Sequence, residues 1–258
     1  MLVDAGGELH FGHEPKAIDD GQGDQESESV FKSEFSVGEA VVSRFLWSQG
    51  RTRIDYVLAT HAHADHMGGL SDVVKNFDTG QALVGYAPES DAEFKRFAIE
   101  AHERAIPMSA VSASERFELE GVTLEVLWPR RVSEPSATSG NNDSVVLRLI
   151  YGSISVLLAG DIERATEDAL IRSRVDLQAD VLKVPHHGSK TSSTDTFIDR
   201  VRPRYAVISA GERSRFGHPH AVVVNRYSTR GVRLLQTGRD GMITLETDGT
   251  TLGVSKYR

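Results

Sequence analysis

The sequence predicts an α/β protein of two stacked sheets flanked by helices, and three observations predict it. Short runs rich in β-branched and aromatic residues, such as Ile54-Asp55-Tyr56-Val57-Leu58-Ala59, read as buried strands that end in polar loops. Two segments alternate about a turn as antiparallel hairpins do, Phe117–Trp128 around Glu120-Gly121 and Val145–Leu158 around Tyr151-Gly152. Strands then give way to a helical pattern twice over, with no internal repeat. At 258 residues the chain can bury a real core, and the even spacing of these signals favours one domain over residues 1–258.

Taken in order, Met1–Gly7 reads as a strand ending in a glycine turn. Residues 8–35 are acidic, rich in Gly and Ser and without periodicity, which predicts a long mobile loop holding His10 and His13 in solvent. Ser36-Val37-Gly38-Glu39 forms a capping box, and Val41, Val42, Phe45 and Leu46 continue at helical spacing to Gly50. This helix is expected to pack on the strand Ile54–Ala59. Leu70–Phe77 reads as a helix and Ala82–Val84 as a strand. Ser90-Asp91-Ala92-Glu93 caps a further helix whose Phe94, Phe97, Ala98, Ala101 and Ala105 share a face, with His102 off that face. After the first hairpin, a loop from Pro129 to Gly140 delivers Asn141-Asn142-Asp143-Ser144 to the second, which presents Asp161 at its end. A helix over about Glu163–Arg172, a strand at Val181–Val184, a helix at Thr194–Val201 and a strand at Tyr205–Ser209 follow.

Composition narrows the chemistry. Cysteine is absent, so neither disulfides nor thiolate ligands contribute and any metal must be held by His, Asp, Glu or Asn. No run approaches the roughly 20 apolar residues of a membrane span, and no leader pattern opens the chain, so it reads as soluble as given. The net charge of −8 argues weakly against a nucleic-acid partner, but its distribution is uneven. Residues 1–50 carry ten acidic side chains against Lys16, Lys32 and Arg44, whereas the span Lys183–Arg239 is strongly basic. Such a basic third suits a phosphate backbone, and it equally suits an ordinary solvated surface. No GxSxG elbow, P-loop or dinucleotide fingerprint is present.

The chemistry concentrates in His61-Ala62-His63-Ala64-Asp65-His66, directly after the strand Ile54–Ala59. Alternation puts His61, His63 and Asp65 on one side of an extended loop, and a turn swings His66 into reach. Three imidazoles and a carboxylate in so short a window make a nest of nitrogen and oxygen donors, better matched to zinc, manganese or iron than to magnesium or calcium. Gly68-Gly69 then admit a tight turn into the next helix.

HxHxDH followed by Gly-Gly resembles the metallo-β-lactamase superfamily, and Leu157-Leu158-Ala159-Gly160-Asp161 resembles its second metal-binding carboxylate. Leu182-Lys183-Val184-Pro185-His186-His187-Gly188-Ser189, with Val207–Gly211 and Gly217-His218-Pro219, resembles the C-terminal domain of ComEC-type DNA-uptake proteins. The resemblance runs from residue 2 to about residue 241. It implies the αββα sandwich of that superfamily, and because LVDAGG follows earlier strands in the family, it implies a chain that starts inside its domain and lacks its first strand or strands.

The resemblance also implies two divalent ions, zinc or manganese. His61 and His63 would serve the first, Asp65 and His66 the second, with Asp161 between them and one of the neighbours His186 and His187, the latter favoured, as the last ligand. His186 would then face substrate. Asn141-Asn142 stand where many relatives carry a further histidine, and an amide oxygen is the weaker ligand for zinc. Lys183, Ser189 and Lys190, with Asn142, are candidate substrate contacts. Asp65, His186 and His218 are candidate catalytic groups, His218 either contacting phosphate or protonating a leaving oxygen, or else capping the helix after Pro219. The function implied is nuclease action on DNA, single-stranded by preference, beside a membrane channel at the outer face of the cytoplasmic membrane. A free-standing hydrolase of a small ester, lactone or phosphodiester is the alternative, and an inactive binding module is another.

Overall fold

The computed structural model describes residues 1–7, 36–86, 90–130, 140–212, 214 and 216–258. The acidic stretch expected to be mobile, with His10 and His13, lies outside the described residues, as do positions 131–139, Arg213 and Arg215.

Four parallel strands form the first sheet in chain order: β1 (Leu2–Val3), β2 (Arg53–Ala59), β3 (Asp78–Val84) and β4 (Met108–Ala110). Parallel neighbours need crossovers, and helices supply them. A π-helical turn, Gly38–Ser43, runs into α1 (Arg44–Ser48) before β2. The helices α2 (Ala64–Met67) and α3 (Leu70–Asn76) precede β3, and α4 (Ala92–Glu103) precedes β4.

The second sheet has seven strands in the spatial order β11-β10-β9-β8-β7-β6-β5. Its antiparallel half is the expected pair of hairpins: β5 (Arg116–Leu119), β6 (Val122–Trp128), β7 (Val146–Tyr151) and β8 (Ile154–Leu158). Its parallel half is β8, β9 (Val181–Lys183), β10 (Tyr205–Ile208) and β11 (Arg233–Gln236), crossed over by α5 (Arg164–Ser173), α6 (Asp195–Val201) and α7 (Ala221–Ser228). Beyond it, α8 (Thr237–Asp240) leads into a separate hairpin, β12 (Met242–Thr247) with β13 (Leu252–Tyr257).

Three apolar cores define the layers. Alternation on β2 sends Val57 and Ala59 to a core shared with α3 and α4, and Leu58 to a core between the sheets with Leu83, Leu124 and Leu147. The third core packs Leu157, Leu182 and Ile208 against Leu170, Phe197 and Tyr227 of the second helical layer. Helices, sheet, sheet and helices therefore stack as the αββα sandwich.

Two local expectations change. In the first helical segment only Val42 and Leu46 face the core, while Val41 and Phe45 point outward, because the π-helical turn resets the inward face. The cap of α4 is Asp91, whose carboxylate accepts from the amides of Glu93 and Phe94, in place of a box begun by Ser90. Gly69 earns its place by proximity: a Cβ there would lie 2.5 Å from the Ala5 carbonyl oxygen and 2.9 Å from the Gly38 Cα. The first helical segment and the end of β1 thus close on the turn that carries the histidines. Among the described residues, no helix is long and apolar enough to cross a membrane.

Candidate metal centre

Parallel register fixes the first part of the site. Val3 pairs with Leu58, so Asp4 leaves β1 beside the loop that leaves β2. The Asp4 carboxylate accepts from the Thr60 amide and hydroxyl, each at 2.8 Å, and from His66 Nδ1 at 2.7 Å. That contact leaves Nε2 of the buried His66 aimed away from Asp4 and into the site.

The second sheet supplies the opposite wall. Asp161 follows β8, where its amide donates to Ser144 Oγ at 3.0 Å, and its carboxylate is buried. After β9, Pro185-His186-His187-Gly188 forms a turn in which both histidines hold left-handed backbone angles, φ 48° and 52°. Such backbone strain costs about 1–3 kcal/mol per residue and persists where surroundings enforce it. The turn separates neighbouring imidazoles. His187 Nδ1 donates to the Ser209 carbonyl at 2.6 Å and turns Nε2 inward, while His186 Nδ1 lies 3.3 Å from Glu163 Oε1.

The result is a cluster in which ligand atoms of Asp65, His66, Asp161 and His187 all lie within 4.8 Å of one another. His66 Nε2 is 3.2 Å from His187 Nε2 and 3.1 Å from Asp161 Oδ1, and His187 Nε2 is 3.3 Å from both Asp65 Oδ2 and Asp161 Oδ2. Between the adjacent histidines, His187 is the one that joins this cluster. His61 and His63 stand beside it, with ring centroids 4.6 Å apart, and His61 is 4.3 Å from His66. His61 Nε2 and Asn141 Oδ1 are buried without a hydrogen-bond partner, as is Lys183 Nζ behind Asp161. Buried polar atoms are normally paired, so the two unpaired donor atoms of His61 and Asn141 at one cleft fit a cation.

Charge follows the same geometry. Burial alone would depress His66, but Asp4 and then Asp161 outweigh it and raise it to about 10. His187, likewise opposed by burial, is raised to about 9 by Asp161 and Asp65. The carboxylates move the other way despite burial: His187 leads the groups that hold Asp65 down at about 2 and Asp161 well below its ordinary value. Burial, followed by repulsion from His66, pushes His61 down to about 3, so it stands neutral. Without an ion, protons on His66 and His187 offset part of the charge of Asp4, Asp65 and Asp161; neutral imidazoles and carboxylates are the form that binds a metal.

Several expected substrate contacts sit elsewhere. Asn142 is turned into the structure, its Oδ1 accepting from the Glu163 amide at 3.1 Å, and Asn141 takes the place facing the cleft. Ser189 is buried and bonded to Thr191 at 2.9 Å, because the turn of the histidine pair folds its side chain under the chain. Lys183 points at the site itself, with Nζ 3.8 Å from Asp161 Oδ1, and Lys190 is exposed. His218 is not the helix cap, a place taken by His220, and lies on the cleft 5.5 Å from His186. Much of the basic third is already engaged: Arg204 with Asp180, Arg226 and Arg230 with Asp195, Arg239 with Asp240.

Sequence reasoning passed over Asp4, Glu163 and the Ser209 carbonyl. Asp4 carried a usable signal, an acidic residue at a strand end before a glycine turn; the other two act only through tertiary contact.

The sequence profile described as Metallo-beta-lactamase superfamily matches residues 1–212. ComE operon protein 3 of Bacillus subtilis is 31% identical over 243 residues, 94% of this chain and 29% of that protein. Competence protein ComA of Neisseria gonorrhoeae is 32% identical over 195 residues, 75% of this chain and 25% of that protein. Both are ComEC-type competence proteins, and the chain spans less than a third of their length. Among solved structures, the metallo-beta-lactamase fold protein YhfI from Bacillus subtilis overlays with a TM-score of 0.47 at 12% identity, covering 76% of this chain and 80% of that one.

Proposed function

The chain belongs to the metallo-β-lactamase superfamily, and from that premise we propose that it is a metal-dependent phosphodiesterase that degrades DNA during uptake by a ComEC-type protein. The observation that carries the reading is the cluster of Asp65, His66, Asp161 and His187, two of whose imidazoles are held by Asp4 and the Ser209 carbonyl with Nε2 facing inward. The link to DNA is drawn from the competence relatives.

Asp65, His66, Asp161 and His187 would hold one divalent ion, and His61, His63 and Asn141 with Asp161 would hold a second. What the ions supply when bound is Lewis acidity toward a phosphoryl oxygen and activation of water near neutral pH. The remaining work falls to the chain. Glu163 Oε1 stands 3.3 Å from His186 Nδ1 and Asn141 Nδ2 stands 3.4 Å from its Nε2, so the ring is held at the cleft, where it would give a proton to a leaving oxygen. His218, across the cleft from His186, is placed to donate a hydrogen bond to a phosphoryl oxygen. Lys183 adds a positive charge behind Asp161, a smaller contribution than those of His187 and His66 to keeping that carboxylate ionised.

A second reading, a hydrolase of small esters or phosphodiesters, draws on the ion-paired arginines and on Asp91 and Glu93, which give the cleft an acidic wall. Hydrolysis of labelled single- and double-stranded DNA beside bis(p-nitrophenyl) phosphate separates the two, using protein supplied with zinc or manganese and its metal counted. DNA cleavage that stops with chelator supports the nuclease. Turnover of the small ester alone favours the second reading, and a metal-free, inert protein removes both.

A further inference from the structure

Phe216 is a large apolar side chain, 56% exposed, beside a charged and polar site. A singly exposed apolar side chain needs no explanation by itself; the position of Phe216 at the site is what gives it meaning. Two open cavities flank the metal cluster, of about 420 and 480 Å³, and Phe216 lines both, as do Asp65, His187 and His218. Phe216 therefore borders both cavities beside the candidate ligands Asp65 and His187. The His218 ring lies 5.9 Å away at an interplanar angle of 30°, between Phe216 and His186. This platform is anchored to the histidine turn. The His220 amide donates to the Gly188 carbonyl at 2.9 Å, and Pro219 packs so closely on Gly188 that a Cβ there would come within 2.7 Å of Pro219 Cβ.

Resting on the phosphodiesterase reading, we propose that Phe216, with His218, is the stacking platform for a base of single-stranded DNA and sets the preference for single over double strands. Each cavity has the dimensions of a small-molecule pocket, on the order of 300–1,000 Å³, which suits one splayed nucleotide. Glu93, on the wall of the larger cavity, can accept from a base amino group, whereas the Asp91 carboxylate is engaged in capping α4. Stacking tolerates any sequence, because every base has a π-face.

The test is anisotropy titration of the metal-loaded protein with a labelled oligothymidylate and with an abasic strand of equal length, cleavage being followed in the same samples. Wild type should bind the base-bearing strand more tightly; F216A should lose roughly tenfold or more on that strand and little on the abasic one. F216W should restore the difference. If F216A keeps the full difference while DNA is still cleaved, the platform is wrong and the nuclease reading stands. If wild type neither binds nor cleaves either strand, the nuclease reading fails and this inference falls with it.

Discussion

Asp4 shows how one side chain outside the ligand motif can govern a site. Its carboxylate meets His66 Nδ1 at 2.7 Å, fixing the tautomer and raising the basicity of the ligand nitrogen. Asp4→Asn should weaken metal affinity by about 10–100-fold with little change in fold, as loss of such partners does; competition against a chromogenic chelator measures it, and unchanged affinity would refute the role. His66→Ala and Asp161→Ala should each abolish hydrolysis, and activity in either folded variant would remove the metal mechanism. The HxHxDH loop, the Gly-Asp pair and the histidine turn were legible because each is a local window. Asn141 was displaced by its neighbour Asn142 because adjacent residues in a tight turn face different ways, a choice decided by the Glu163 amide 21 positions away. Glu163 itself looked like the start of a helix and nothing more.

The element that matters most is the turn from Pro185 to Gly188. Gly188 holds φ +83°, and Pro219 blocks space for a side chain. Gly188→Ala should cost about 1–3 kcal/mol from the backbone alone and, because His187 sits beside it, should lower metal content as well; thermal melting and metal analysis read the two effects separately. A normal metal count with an unchanged melt would show that the turn tolerates a Cβ. Strands and hairpins were read well because period-two alternation and Gly turns are strong signals, as at Glu120-Gly121. The first helical segment was read less well, since a π-helical turn breaks the 3.6-residue rhythm on which the stripe of Val41 and Phe45 depended. The alternating Met242–Thr247 carried a strand pattern that the reading past Pro219 did not use.

Across the molecule, ion binding and folding should be linked. At 100 times its dissociation constant, an ion bound only by the folded state adds about 2.7 kcal/mol, a rise of roughly 5–10 °C in a protein of this size. The pH dependence should have opposite signs with and without metal. Metal-free, the raised His66 and His187 contribute stability that is full below their unfolded value near 6.5 and is lost as pH climbs through about 9 and 10. The depressed Asp4, Asp65 and Asp161 contribute above about 3.8 and lose it on acidification. With metal present, deprotonated imidazoles bind better, so the metal-induced rise in melting temperature should widen from pH 6 to 9; a rise independent of pH would mean that the histidines are not ligands. The sandwich was legible from the order of strands and helices, whereas the spatial order of the seven-stranded sheet came only from pairing between distant segments. That arrangement has one more consequence. Asp65 and His66 leave a strand of one sheet, and Asp161 and His187 leave strands of the other, so an ion would act as a rivet through the seam between them. Stripped of it, the strand ends should breathe: amide hydrogen exchange should quicken at Thr60, Asp161 and Ser189 together, as one cooperative opening, while the centres of β2 and β8 stay protected.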